Sequence, residues 1–274
     1  MISNKIVLIF YAFIILSFGS CLSNKTITTP PRSSHLTGRE FYATAASFNW
    51  KQRDSLAEAE ILHGNFPSFL KKFLPVHVQI LDSASRKIIH ATFFVSSDYL
   101  SAGTNNNWAR INISPMAAQK IADSFHCFLP TKKMVDDIYR SAVIKLEPMP
   151  MYAFRDSSPT MYQHHLIIEG QRNGRKGLIA GIKKDLVISE KLLPDSKQFH
   201  VAIYGWHQLN GIPIQTLYTG HISSWVDYSQ GTRLIYRNIK IDNKWMDYID
   251  VLKHPVLHKL LCDEAACNFY RYNY

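Results

Sequence analysis

Apolar and polar positions alternate in recognisable periods along most of this chain. Residues 54–63 (DSLAEAEILH) carry a helical pattern, with Asp54 or Ser55 as the cap and Gly64 as the stop. A second short helix over residues 67–73 ends before Pro75. Residues 76–81 (VHVQIL) and 87–95 (KIIHATFFV) alternate on either side of DSASR, which predicts a β-hairpin. Residues 97–107 read as loop. Ser114-Pro115 then starts a helix over residues 115–125, and Thr131 caps another over residues 132–146 (KKMVDDIYRSAVIKL). Residues 147–160, rich in Pro and turn formers, predict a long loop or hinge. His164 and His165 follow in a short apolar run read as a strand. Residues 177–189 read as two short strands bent near Lys183, Lys184 and Asp185. Further strands are expected at 200–206 and 212–218 across the Asn210-Gly211 turn, a strong hairpin signal, and then at 223–228 and 232–241. Helices over 245–252 and 255–261 close the chain. This order predicts an α+β fold, a largely antiparallel sheet with flanking helices in a single compact domain.

The N-terminus changes this picture. Lys5 precedes an unbroken apolar run at residues 6–16, and the small residues Gly19 and Ser20 precede Cys21, which is the form of a secretory signal. The ending Phe18-Gly19-Ser20-Cys21 resembles the lipobox of bacterial lipoproteins. That resemblance implies removal of residues 1–20, lipidation of Cys21, and attachment to the membrane through the lipid. Residues 21–40, polar and Pro-containing, then read as a flexible tether, and residues 41–274 as the domain. The protein is expected to be exported and held at the cell envelope. Three cysteines remain. Cys262 and Cys267 can close a small loop across DEAA in an oxidising compartment, which leaves Cys127 over.

Composition adds a partner class. A hydrophobic fraction of 46% over 274 residues is globular, and a net charge of +10 with pI near 9.4 suits an anionic partner. The basic residues are scattered and no DNA- or RNA-binding signature accompanies them, so nucleic acid is not expected. The anticipated partners are an anionic cell-wall or extracellular polysaccharide or peptide polymer, and the membrane.

Candidate chemistry concentrates in residues 199–233, FHVAIYGWHQLNGIPIQTLYTGHISSWVDYSQGTR. A cysteine hydrolase sets a thiol at a helix start and its base on a later strand. Cys127, just ahead of the helix capped by Thr131, then serves as nucleophile, His221 as base and Asp227 as orienter. The order of elements and the FHVAIYGW segment resemble the bacterial papain-like cell-wall peptidases and amidases, a likeness that implies His200 as the base instead. Tyr204, Trp206, His207, Gln215, Tyr228 and Lys184 are the expected substrate-binding residues. A second reading is glycan chemistry, as a glycosidase or polysaccharide lyase. Asp185, Asp227 and Asp242 supply its acids, and Tyr204, Trp206, Trp225 and Tyr228 its stacking faces. A third is non-catalytic glycan binding by a lipoprotein. His200, His207, His221 and Asp227 lack the close spacing of a zinc motif, so no metal or other cofactor is expected. The segments LPTKKMVDDIY, GIKKDLVIS and YGWHQLNGIPIQ with GHISSWVDYSQG resemble a group of exported bacterial proteins. That resemblance implies export and one compact domain, with no catalytic assignment. The sequence thus supports an exported, envelope-associated hydrolase, with a glycan-active or glycan-binding protein as the alternative.

Overall fold

The DSASR turn closes a long hairpin because Asp82 folds back on it, one carboxylate oxygen accepting from the Ala84 amide at 3.0 Å and the other from the Ser85 hydroxyl at 2.5 Å. The strands it joins, β1 (Phe73–Asp82) and β2 (Lys87–Ser96), pair antiparallel from Asp82 opposite Lys87 to Phe73 opposite Ser96. The computed structural model describes residues 25–274. After this hairpin come β3 (Ser101–Gly103), β4 (Trp108–Arg110), β5 (Cys127–Phe128), β6 (Ile144–Lys145), β7 (Ile179–Ala180) and β8 (Lys184–Val187). β9 (Ala202–His207), β10 (Pro213–Tyr218), β11 (Gln230–Gly231), β12 (Ile235–Tyr236), β13 (Asn238–Ile241) and β14 (Lys244–Asp247) complete the strands. The helices are α1 (Gly38–Thr44), α2 (Trp50–Leu62), α3 (Pro115–Ser124), α4 (Lys132–Ser141), α5 (Ser158–Arg172) and α6 (Tyr248–Lys253).

The second edge of β2 is shared. β13 pairs with its first half and β12 with its second, while β14 and β5 extend the two arms, giving a curled antiparallel sheet. A second sheet runs β10-β9-β8-β11, with only β8 and β11 parallel. The α+β architecture with a largely antiparallel sheet is therefore as the pattern predicts. Ser114 and Thr131 cap α3 and α4 as expected. Cys262 and Cys267 are joined in a disulfide.

Four differences have identifiable causes. α2 begins at Trp50, because Asn49 and Gln52 form a reciprocal capping box; Asp54 is instead buried, accepting from the Ser114 amide with both oxygens at 3.3 Å. His164 and His165 lie on α5 and not on a strand. Met161, His164, His165 and Ile168 recur at helical spacing and are all buried, so the histidines belong to the core stripe. Trp245 lies on a strand, because Asp242 and Asn243 take left-handed conformations (φ 42° and 73°) and turn β13 into β14. Residues 25–40, expected as a tether, pack on the domain: the Ile27 amide donates to Lys71 O at 2.9 Å, the Phe73 amide to Lys25 O at 2.9 Å, and Thr37 caps α1.

A polar layer crosses the interior between the sheets and α5. Arg110, fully buried, donates through Nε and Nη2 to both oxygens of Asp98 at 2.8 and 2.6 Å, and through Nη2 to Glu169 at 2.8 Å. The neighbouring Tyr99 donates its hydroxyl to Asp185 on β8 at 2.8 Å, and its ring packs against the Arg233 guanidinium. Arg233 donates to the carbonyls of Ser96 and Ile179 at 3.1 and 2.8 Å. Removing one partner of such a pair leaves the other charged and buried. An Arg110→Met variant is accordingly expected to lose about 3–5 kcal/mol of stability, measured by urea unfolding with the denaturant slope held common. Wild-type stability in that variant would show the pair to be incidental.

Candidate functional site

The turn before β11 is held from several sides. Asp227 accepts from the Ser229 amide and hydroxyl at 2.9 and 2.6 Å through one oxygen, an Asx turn, and from Arg155 Nη2 at 2.8 Å through the other. The side-chain amide of Asn112 donates to the carbonyls of Asp227, Tyr228 and Gln230 at 2.9, 3.0 and 2.5 Å. Lys183, fully buried, donates to the Tyr228 carbonyl. The Tyr228 hydroxyl accepts from the Met151 amide at 2.7 Å, and the Tyr228 amide donates to Arg155 O at 2.8 Å. The result is a rigid floor whose carboxylate faces two cations, Arg155 and Lys184. Burial disfavours the Asp227 carboxylate, but the Ser229 hydrogen bonds and the charges of Lys184 and Arg155 outweigh it and hold its pKa below the ordinary value.

His221 stands at the rim of this floor. Its carbonyl accepts from the Val201 amide at 3.0 Å, which fixes the turn. Its ring lies between Tyr218 (centroids 5.0 Å, edge-on) and Trp225 (6.1 Å), both of which reach solvent. Gly220 permits this, since a Cβ there would fall 2.1 Å from the Tyr218 hydroxyl. Partial burial, with Lys184 and Arg155 nearby and Asp227 opposing, lowers the imidazole pKa and favours the neutral ring. The structure therefore brings His221 and Asp227 into one electrostatic neighbourhood, as the Gly220 bend suggests.

Trp206, Tyr228 and Lys184 join them. Gly205 and Trp206 both take positive φ (108° and 56°), a kink in β9 that turns the Trp206 ring toward Lys184 (5.2 Å) and Tyr228 (6.3 Å). Tyr204 and His207 go elsewhere. Both meet Asp136 on α4, hydroxyl and Nε2 each 2.9 Å from Oδ1, and His207 stacks on Tyr139, so they pin β9 to α4. Gln215 lies on β10 and donates to the Thr216 carbonyl at 2.9 Å. His200 Nδ1 is 2.8 Å from Thr219 O. Asp185 is buried in the interior polar layer, and Asp242 accepts from the His90 amide in the β13–β14 turn. Neither offers a carboxylate at the rim.

The cysteine reading is overturned. Cys127 lies on β5 in the middle of the core, with no exposed surface. Among the described residues its sulfur has one hydrogen-bond partner, the Phe125 carbonyl at 3.3 Å, and burial pushes its pKa well up. A thiol so placed is a small core hydrophobe and not a nucleophile. Cys21 and the lipobox-like residues lie outside the described residues. Among those described, no helix is long and apolar enough to cross a membrane, and no group of three or more His, Cys, Asp or Glu is placed to hold a metal ion.

Arg155, Lys183 and Asn112 are site residues that the sequence does not single out. Arg155 sits in the Pro-rich loop and Asn112 in the short segment before α3, far along the chain from the floor they hold. A cavity of about 600 Å³ bordered by Phe199, His200 and Tyr274 lies beside the site, but none of its lining residues carries a buried unpaired polar atom. No protein-family model, curated protein or solved structure matches the chain.

Two outcomes follow from these placements. In a Cys21→Ser variant, a thiol reagent is expected to find no reactive sulfur in the folded protein and one after unfolding; rapid labelling of the native form would restore Cys127 as a candidate. Lys183 gives a pH signature. Burial, with Arg110 nearby and despite Asp227 and Asp98, pushes its pKa down to about 7 from an ordinary 10.5. Between these values the unfolded chain holds a proton that the folded chain has released, so this group's contribution to stability rises with pH across that window and is least below it. Comparing urea midpoints of wild type and Lys183→Met from neutral to alkaline pH should show the rise in wild type only.

Proposed function

We propose that the protein acts on an anionic, uronate-containing glycan at the cell envelope, by lyase-type elimination with His221 as the base. The observation that carries this reading is a solvent-reaching imidazole, disposed to be neutral, beside two cations and between two exposed aromatic rings. Elimination from a uronate needs three things: a base for the proton next to the carboxylate, positive charge to stabilise the resulting carbanion, and flat faces for the sugar. His221 supplies the first, Arg155 and Lys184 the second, and Trp225 and Tyr218 the third. In the step, His221 takes the proton at C5 and a C4=C5 double bond forms. The C4–O bond breaks, and the leaving oxygen is protonated by water. Hydrolysis by paired carboxylates is less well supported, because Asp227 has both oxygens engaged and, among the described residues, it is the one carboxylate whose charge acts on His221.

Export and lipid attachment remain part of the proposal. They are supported by the signal-like N-terminus and by the Cys262–Cys267 disulfide, a bond of oxidising compartments.

The test is a panel of acidic and neutral polysaccharides, followed by the ultraviolet absorbance of unsaturated uronate. Wild type should form product from an acidic member, and His221→Ala should lose about 10²–10⁴ in kcat with binding retained. The acidic limb of kcat/KM should lie below the ordinary imidazole value of 6.5. Binding without product in wild type would reduce the protein to a glycan-binding one. Undiminished turnover in His221→Ala would move the base elsewhere.

A further inference from the structure

Trp225, which packs beside His221, also borders a second cavity of about 340 Å³, at the small end of the range for ligand sites. Trp50, at the start of α2, and Trp225 line it together with Asn49, Arg53, Asp156 and Ser224. Arg53 is the anomaly. Its residue is 5% exposed, yet no carboxylate lies within ion-pairing distance (4.0 Å) of it among the described residues. Its Nε is buried with no hydrogen-bond partner, and its one side-chain bond is a long 3.4 Å contact from Nη1 to the Asp156 carbonyl. The charges facing it do not supply a partner. Asp54 gives both oxygens to the Ser114 amide, and the Asp156 carboxylate borders the same cavity beyond ion-pairing distance. The Tyr42 hydroxyl donates to the Arg110 carbonyl at 2.6 Å. A guanidinium whose Nε has no acceptor and whose terminal nitrogens make only one long bond is costly in a nearly buried wall, and an anion bound across Nη1 and Nη2 offsets part of that cost.

The geometry points to this cavity as a subsite for a uronate residue of the chain processed at His221, with Arg53 receiving its carboxylate. Trp50 and Trp225 offer the ring a flat wall. Asp156, Asn49 and Ser224 provide acceptors and donors for its hydroxyls. Trp225 borders both places, so one glycan strand can run from the His221 rim into the cavity. The inference rests on the glycan reading of the His221 site and adds to it a specificity-determining cation.

Calorimetric binding of trigalacturonate and of its fully methyl-esterified, neutral form separates the two claims. Wild type should prefer the acidic form by about tenfold or more, a preference expected of a hydrogen-bonded charge pair. Arg53→Met should remove most of that preference, leaving only what Arg155 and Lys184 supply at the His221 rim, Arg53→Lys should keep more of it, and Trp225→Ala should weaken both forms. Thermal unfolding of each variant guards against misfolding. Should Arg53→Met fail to fold, the Arg53→Lys and Trp225→Ala pair decides, Trp225 being 39% exposed and outside the core. Equal affinity of wild type for the two forms, no binding of either, or an undiminished preference in a folded Arg53→Met would overturn the subsite. An Arg53-dependent preference without any unsaturated product would keep the subsite and overturn the lyase.

Discussion

The adjacent residues Asp98 and Tyr99 are where the two sheets are tied together. Asp98 takes the forked guanidinium of Arg110, which also reaches Glu169 on α5; Tyr99 turns the other way, to Asp185 on β8 and to Arg233. Two residues just past the end of β2 thus connect the curled sheet, the second sheet and α5 through polar contacts, of which only Glu169 has appreciable access to water. Hydrophobic contact alone would let these layers slide, since it has no preferred direction. A bidentate guanidinium–carboxylate pair accepts one geometry. The cost is visible at Asp185, where one oxygen and the Arg233 Nε stand 3.6 Å apart and both lack a hydrogen bond.

That layer reaches the candidate site through Lys183. Its side chain goes down into the interior and holds the Tyr228 carbonyl, while Lys184, next along β8, sends its ammonium over Trp206 toward Asp227. Lys183, in the bend before β8, lies beneath the floor, and Lys184, the first residue of β8, lies beside it. Arg155 arrives from the Pro-rich loop and closes the third side. The floor therefore has more cations than carboxylates around it; partial burial, aided by the charges of Lys184 and Arg155, lowers the His221 pKa despite the proximity of Asp227. An anionic ligand would meet that excess without displacing any buried pair.

The parts of the fold set by local chemistry were legible in the sequence: the β1–β2 hairpin, the Ser114 and Thr131 caps, the Asn210-Gly211 turn and the α+β class. The missed elements were those in which polar residues serve the interior. His164 and His165 interrupt an apolar pattern on paper and complete one in space. Asp54 reads as a cap but is buried against Ser114. The site was half legible for a related reason. His221, Asp227, Trp206, Tyr228 and Lys184 stand out by type and lie within or near one stretch, but Arg155, Asn112 and Arg53 join it only through tertiary folding. Cys127 misled because its position between two helices resembles a reactive one, whereas burial, which decides thiol reactivity, is not written in local sequence.

The roles within the floor can be separated by what each group is free to do. Asp227 accepts three hydrogen bonds and an adjoining positive field, so taking a proton would break the turn that defines the floor. The Tyr228 hydroxyl is committed to the Met151 amide, and burial raises its pKa. Lys184 is buried, which lowers its pKa, and its charge is matched by Asp227. Among the described residues His221 has no side-chain hydrogen bond within the protein, reaches solvent, and is biased toward its neutral form. A group that is to exchange protons with a ligand must be able to reach it and must hold a free lone pair, and His221 meets both requirements. On the proposed reading, Asp227, which holds Arg155 and the turn, is the support of the site, and His221 is its acting residue.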